Sequence, residues 1–377
     1  MKLLFARGKS LALLFLLLNV VESACSGEQK VEADTAPTTY LQRAAAGIHT
    51  LQAWYVQSSG LYQTTGWWNS ANVITMLVDY SRVSATNTYL PVLSNTFQQA
   101  QTKYSGFLNQ YYDDEGWWAL AWIDAYDLTK NPQYLSMAES IFTDMAAGWD
   151  TTMCGGGIWW SKERRNKNAI ANELFLSVAA HLANRAHDPA QSAKYLSLAE
   201  KEWQWFRDSG MINSQSLVND GLNASSSSGC VNDGKPTWSY NQGVILAGLV
   251  EMNRAKPDPR LSTMARAIAG AAILHLSDRG SIMHDPCEPK CGADGIQFKG
   301  IFVRNLMALN DAFPDPQYVR FVDANANSVW DHSRGPDSQL GLVWSGPYEA
   351  EGAGSQSSAL DAIVAAAQMA QSRPSAP

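Results

Sequence analysis

Charge is scarce in this sequence, and positive charge scarcer than negative. Of 377 residues 17% are charged, with 28 Lys and Arg against 35 Asp and Glu, a formal charge of −7. That balance leaves no basic footprint for nucleic acid and no electrostatic hold on an anionic membrane surface. The six His are scattered singly. The strings HExxH, GxSxG and GxGxxG are missing, and Gly8-Lys9-Ser10 lacks the first glycine of a P-loop. The usual zinc-hydrolase, nucleophile-elbow and nucleotide-binding signatures are therefore excluded, and no cofactor is expected. Beyond the first 24 residues no apolar run reaches the ~20 residues of a membrane span. Strand-like alternation is missing too.

The first residues are of a different kind. Lys2, Arg7 and Lys9 precede a short apolar run over Leu11–Val21, with small residues at Ser23 and Ala24. This reads as an export signal over residues 1–24, too short to span a bilayer. Its removal leaves a charge of about −9. Residues 25–37 read as a polar tether, and 38–377 as one domain. Cys25, between Ala24 and Ser26, is compatible with lipid attachment, although Glu22 stands where such sites want an apolar residue; cleavage near Ser23 or Ala24 is the alternative. The polar tail QSRPSAP does not read as a GPI-anchor signal. A secreted or cell-surface location is expected, for a protein read as a monomer.

Five cysteines are present, and setting Cys25 aside leaves four, an even number in an exported chain. The even count and the short 287–291 loop predict the pairs Cys154–Cys230 and Cys287–Cys291. Zinc held by His284, Cys287 and Cys291 is the alternative, and disulfides are preferred to metal.

What the chain has in quantity is ring: 14 Trp and 14 Tyr. It also repeats. Segments that open with aromatics or amides and continue as an apolar helix recur six times, beginning near Gly66, Gly116, Lys167, Thr237, Phe298 and Ser355. With Asn69, Trp118, Asn168, Tyr240, Lys299 and Gln356 as markers, the spacings are 49, 50, 72, 59 and 57 residues. Amphipathic segments lie between them, four with Pro near the first turn. Six helical hairpins predict an all-α fold, an (α/α)6 toroid with the repeated helices inside and their opening residues at one mouth. A plain helical solenoid is the alternative.

Chemistry concentrates in YYDDEGWW at residues 111–118. Acids before a helix can simply cap it. Here Asp113 and Asp114 are flanked by Tyr111, Tyr112, Trp117 and Trp118. Paired carboxylates beside rings that stack on sugars suit glycoside hydrolysis, where one acid is ionised and the other protonated. Two neighbouring carboxyls push their pKa values apart. Adjacency favours the closer, retaining separation of about 5–6 Å.

The string YYDDEGWWALAWIDAYDLT resembles the signature of glycoside hydrolase family 76, the α-1,6-mannanases and their fungal cell-wall relatives. Similar segments are WWNSAN (67–72), CGGGIWW (154–160), KNAIANELFL (167–176), SGMIN (209–213), TWSYNQGVIL (237–246) and FKGIF (298–302). The resemblance implies an (α/α)6 barrel that cuts α-1,6-linked mannan internally with retention. It implies Asp113 as nucleophile and Asp114 as acid/base. Besides the flanking Tyr112 and Trp117, the starts of the inner helices offer Trp68, Asn69, Asn72, Asn168, Asn172, Tyr240, Asn241, Gln242 and Lys299 as sugar ligands. Capping or inter-helix hydrogen bonding is the alternative for each. Transglycosylation of mannosyl glycans and non-catalytic mannan binding are the competing functions. An isoprenoid cyclase is disfavoured, because DDEGW is not a DDxxD metal motif.

Overall fold

A computed structural model describes residues 39–225, 229–349 and 352–372. The expected export signal, Cys25 and the tether lie outside these residues. The described part is helical, in the order α1 (Tyr40–Leu51), α2 (Trp67–Ser84), α3 (Leu90–Gln99), α4 (Tyr112–Thr129), α5 (Pro132–Ala146) and α6 (Ala169–Ala183). Then come α7 (Pro189–Asp208), α8 (Ser239–Ala255), α9 (Pro259–His275), the single turn α10 (Gly292–Gly295), α11 (Phe298–Ala312), α12 (Pro316–His332) and α13 (Ala353–Gln371).

Local chemistry starts the outer helices. Four of them open on Asx-Pro: Asn131-Pro132, Asp188-Pro189, Asp258-Pro259 and Asp315-Pro316. In each the Asx side chain accepts the backbone N–H two residues on, while Pro supplies a helical φ where no N–H is needed. The inner helices carry no amphipathic stripe because they are covered on every side; in α6 only His181 escapes full burial.

Each inner helix packs on the next, in the order α2, α4, α6, α8, α11, α13, and α13 packs back on α2. The ring closes. Outside it, α5, α7 and α9 pack on the inner helix that precedes each in the chain, α1 and α12 both lie against α13, and α3 reaches α4 through Phe97 on Trp122. This is the expected (α/α)6 toroid.

Two small antiparallel hairpins escape the sequence reading: β1 (Tyr55–Val56) with β2 (Leu61–Tyr62), and β3 (Leu222–Ser225) with β4 (Gly229–Asn232). Strands of two and four residues are too short to show alternation. Cys154 is bonded to Cys230, and Cys287 to Cys291, so the thiols that might have joined His284 around zinc are occupied.

The chain from each outer helix into the next inner one is fastened in one recurrent way. A backbone N–H of the connection is received by a polar side chain. Tyr62 N–H goes to Ser70 Oγ, Asn109 to Glu115 Oε1, Ile158 to Asn172 Oδ1, Val218 to Gln242 Oε1, Met283 to Asn325 Oδ1 and Leu340 to Gln356 Oε1. All six acceptors are buried, and five belong to inner helices. An unpaired N–H at these depths would cost about 1–3 kcal/mol, so the clamps answer a need that loops over a buried ring create.

Candidate active site

The starts of the inner helices meet on one side of the ring. Trp68 of α2 stacks on Trp117 of α4 at 5.6 Å, Trp117 on Tyr240 of α8 at 6.4 Å, and Tyr240 on Phe298 of α11 at 3.8 Å. The positive ends of α2, α4, α8 and α11 therefore meet at this mouth.

Asp113, Asp114 and Glu115 occupy the first turn of α4. Asp113 and Asp114 are half-buried, and Trp117 follows on the same helix face. Asp113 Oδ2 accepts the indole N–H of Trp160 at 2.9 Å, and its Oδ1 the backbone N–H of Asp114 at 3.1 Å. Asp114 Oδ2 accepts from the amide of Asn109 at 2.6 Å. Burial and the adjacent Asp114 charge push Asp113 up, against the pull of Trp160. Burial pushes Asp114 up, against its bond from Asn109 and with help from the Asp294 charge. Neighbouring carboxyls titrate as a unit, so the values of about 6 and about 8 belong to the pair, which holds one proton between them. Such a pair can present one anionic oxygen and one O–H to the same bond.

Glu115 takes no part in that pair. Its Oε1 holds the Asn109 N–H and the Lys162 ammonium at 2.8 Å, which fastens the loop carrying Asn109.

Several residues expected at the sugar face other work. Tyr112 turns outward, its ring against Gly148 and below the Lys162 ammonium. Asn69 caps α2 through the Gly66 N–H and donates to Gln297 at 2.7 Å. Asn72 accepts from Arg304, and Asn168 caps α6 at Ala171. Asn172 and Gln242 spend both ends of their amides on the backbones of Ile158 and Val218. Lys299 is buried, donating to the Leu342 carbonyl and paired with Glu288 at 2.6 Å. Asn241 is fully buried, and its amide has no protein hydrogen bond. The physical reason is common to most of them: an amide or amine at a buried helix start is nearer to a loop backbone than to the open mouth. Of the rim markers, Trp118 also departs. It lies behind the rim, fully buried against Trp67 and Trp122.

Trp68, Trp117 and Tyr240 do gather by the acids. Burial, joined by the charges of Asp220, Asp113, Glu173 and Asp294, raises the pKa of the Tyr240 hydroxyl. Asn109, Trp160 and Asp294 carry no site assignment from the sequence, and Phe298 only marks the start of a repeat there. Trp160 had a visible signal, the paired Trp of CGGGIWW; Asn109 and Asp294 had none.

Among the described residues no group of His, Cys, Asp and Glu is arranged to hold a metal ion. The mouth offers carboxyls, rings and amides.

Comparison with known proteins follows the same line. Mannan endo-1,6-alpha-mannosidase DFG5 of Candida albicans is 27% identical over 331 residues, covering 79% of this chain and 72% of that protein. A putative mannan endo-1,6-alpha-mannosidase of Schizosaccharomyces pombe is 28% identical over 277 residues, 67% of this chain and 60% of its own length. In three dimensions, an inactive double Asp→Asn variant of a Salegentibacter α-1,6-mannanase, bound to α-1,6-mannotriose, overlays with a TM-score of 0.78. It is 21% identical, over 87% of this chain and 99% of that one. Dfg5 of Chaetomium thermophilum, in complex with glucosamine, overlays at 0.77 with 21% identity, over 88% of this chain and 90% of its own. These likenesses carry the fold. The profile described as Glycosyl hydrolase family 76 matches residues 30–376, and this protein belongs to that family.

Proposed function

We propose that the protein is an exported endo-α-1,6-mannanase that acts with retention of configuration. The observation that carries the reading is the Asp113–Asp114 carboxyl pair on the first turn of α4, beside the rings of Trp68, Trp117 and Tyr240. Mannose offers an apolar face to such rings and hydroxyls to the polar rim. The named activity of the relatives supports the substrate, and the two disulfides support export. No helix among the described residues is long and apolar enough to cross a membrane.

In the proposed reaction Asp113, anionic and held by Trp160, attacks the anomeric carbon. Asp114 gives its proton to the leaving glycosidic oxygen. A β-linked glycosyl-enzyme forms, and Asp114, now anionic, takes a proton from the water that displaces Asp113, which returns the α-anomer. Two carboxyls on one helical turn stay close, in keeping with retention.

Three measurements test this. Wild-type enzyme on α-1,6-mannan should release short oligosaccharides, α-anomer first by proton NMR, with activity confined between acid and alkaline limbs near 6 and 8. Asp113→Ala should abolish turnover. Asp114→Ala should still be glycosylated by a mannosyl fluoride, and azide should then yield an α-mannosyl azide. With azide, Asp113→Ala should give the β-azide by direct displacement; an α-azide from Asp113→Ala with a β-azide from Asp114→Ala reverses the two roles. A β-anomer as first wild-type product ends the retaining reading, and products longer than the substrate mark transfer.

A further inference from the structure

The segment that follows the Cys287–Cys291 disulfide reaches across the mouth. In ring order α13 stands between α11 and α2. Just ahead of α11, Gln297 nevertheless bonds Asn69 of α2 twice, through its amide oxygen at 2.7 Å and its amide nitrogen at 3.1 Å, and Ser357 of α13 at 2.7 Å. Those bonds and the disulfide already fasten the strap. One further bond is left over. Asp294 Oδ1, exposed on the rim, accepts the indole N–H of Trp68 at 3.0 Å, across 226 residues of chain.

Trp68 is the ring stacked on Trp117, and Trp117 lies one helical turn beyond Asp113 and Asp114 on α4. We propose, resting on the glycosidase reading above, that Asp294 is a positioning residue of the reaction. It aims the Trp68 ring as one wall of the sugar site and sets a fixed negative charge within reach of Asp114. The single bond to Trp68 serves the first task, because an indole held at its nitrogen cannot swing off Trp117. The charge serves the second. Asp114 feels Asp113 from its own helix, Lys103 from the preceding loop, the amide of Asn109, and Asp294 from the strap. Only Asp113 and Asp294 in that set favour the protonated form, which is the form that must deliver a proton.

The two tasks separate by substitution. D294N keeps an acceptor for the indole and loses the charge, D294E keeps the charge, and W68F keeps a ring and loses the N–H. The measurement is kcat/KM against pH on α-1,6-mannotetraose, at low and high salt, with thermal midpoints alongside. D294N should bring the alkaline limb down by about half a pH unit at low salt and less at high salt, with KM within about twofold of wild type. W68F should raise KM about three- to tenfold and leave both limbs in place. D294E should keep the wild-type profile.

A D294N profile that superimposes on wild type overturns the proposal while the glycosidase reading stands. Loss of the profile in D294E, together with a lowered midpoint, assigns Asp294 to structure alone and also overturns it. A wild-type protein with no turnover of α-1,6-mannan or its oligosaccharides removes the glycosidase reading, and this proposal with it.

Discussion

The indole of Trp160 donates to Oδ2 of Asp113 at 2.9 Å, across 47 residues of chain. Its loop is stitched to the start of α4: the Trp160 carbonyl accepts the Tyr112 N–H, and the Gln110 carbonyl accepts the Lys162 N–H. The helix and the loop therefore set the Asp113 carboxyl together. Trp160→Phe keeps the packing and removes the donor. Without it Asp113 ionises less readily, so the acid limb of the pH–rate profile should rise by up to about one unit, and kcat should fall about tenfold. Stopped assays on α-1,6-mannotetraose across pH check this. An unmoved acid limb would remove Trp160 from the mechanism.

Gln242 and Asn172 make the second test. Gln242 bonds the Val218 N–H, the Val218 carbonyl and the Trp238 carbonyl, and Asn172 grips Ile158 in the same manner. Ala at either position leaves a buried N–H without a partner, which should cost about 2–4 kcal/mol in urea unfolding. Ile158 is two residues from Trp160 and Val218 is far along the chain, so only Asn172→Ala should also depress kcat. A Gln242→Ala variant of undiminished stability whose KM rises tenfold would restore Gln242 as a sugar ligand.

At the opposite end of the ring, Arg185 joins Asp127 at 2.6 Å and Glu251 at 3.0 Å beside a cavity of about 270 Å³. Burial works to raise Glu251, but the charges of His181, Arg185 and Arg254 outweigh it and hold the group below its ordinary range. Arg185→Met removes the buried cation the two carboxylates share, leaving Glu251 with Arg254 and Asp127 with Lys130, and should destabilise by about 2–3 kcal/mol at neutral pH. A depressed carboxyl contributes stability above its unfolded pKa and loses it as pH falls through the folded one. The deficit of the variant should accordingly shrink below about pH 4, and its kcat at moderate temperature should match wild type. A deficit that stays constant from pH 7 to 3 would count against the pair.

Much of the architecture is written locally. Asx-Pro starts the outer helices at Asn131, Asp188, Asp258 and Asp315, and uninterrupted small and apolar residues mark inner helices such as α6 and α13. Helix capping and helix burial depend on neighbours within a few residues, so a sequence carries them openly. The same locality put Asp113 and Asp114 in one helical turn beside Trp117.

Partnership is another matter. The amides at the inner-helix starts were legible as polar and buried, but not as clamps, since what they hold lies 14 residues away for Asn172, 24 for Gln242 and 16 for Gln356. The Trp160 donor and the Asp294 strap lie farther still from Asp113 and Trp68. The sequence by itself determined the helices, their two layers and the acid pair. Only the tertiary structure decided which polar groups face the mouth and which are consumed by the loops. A buried amide bonds whichever backbone N–H the closed ring brings over it, and no local pattern of residues records that encounter.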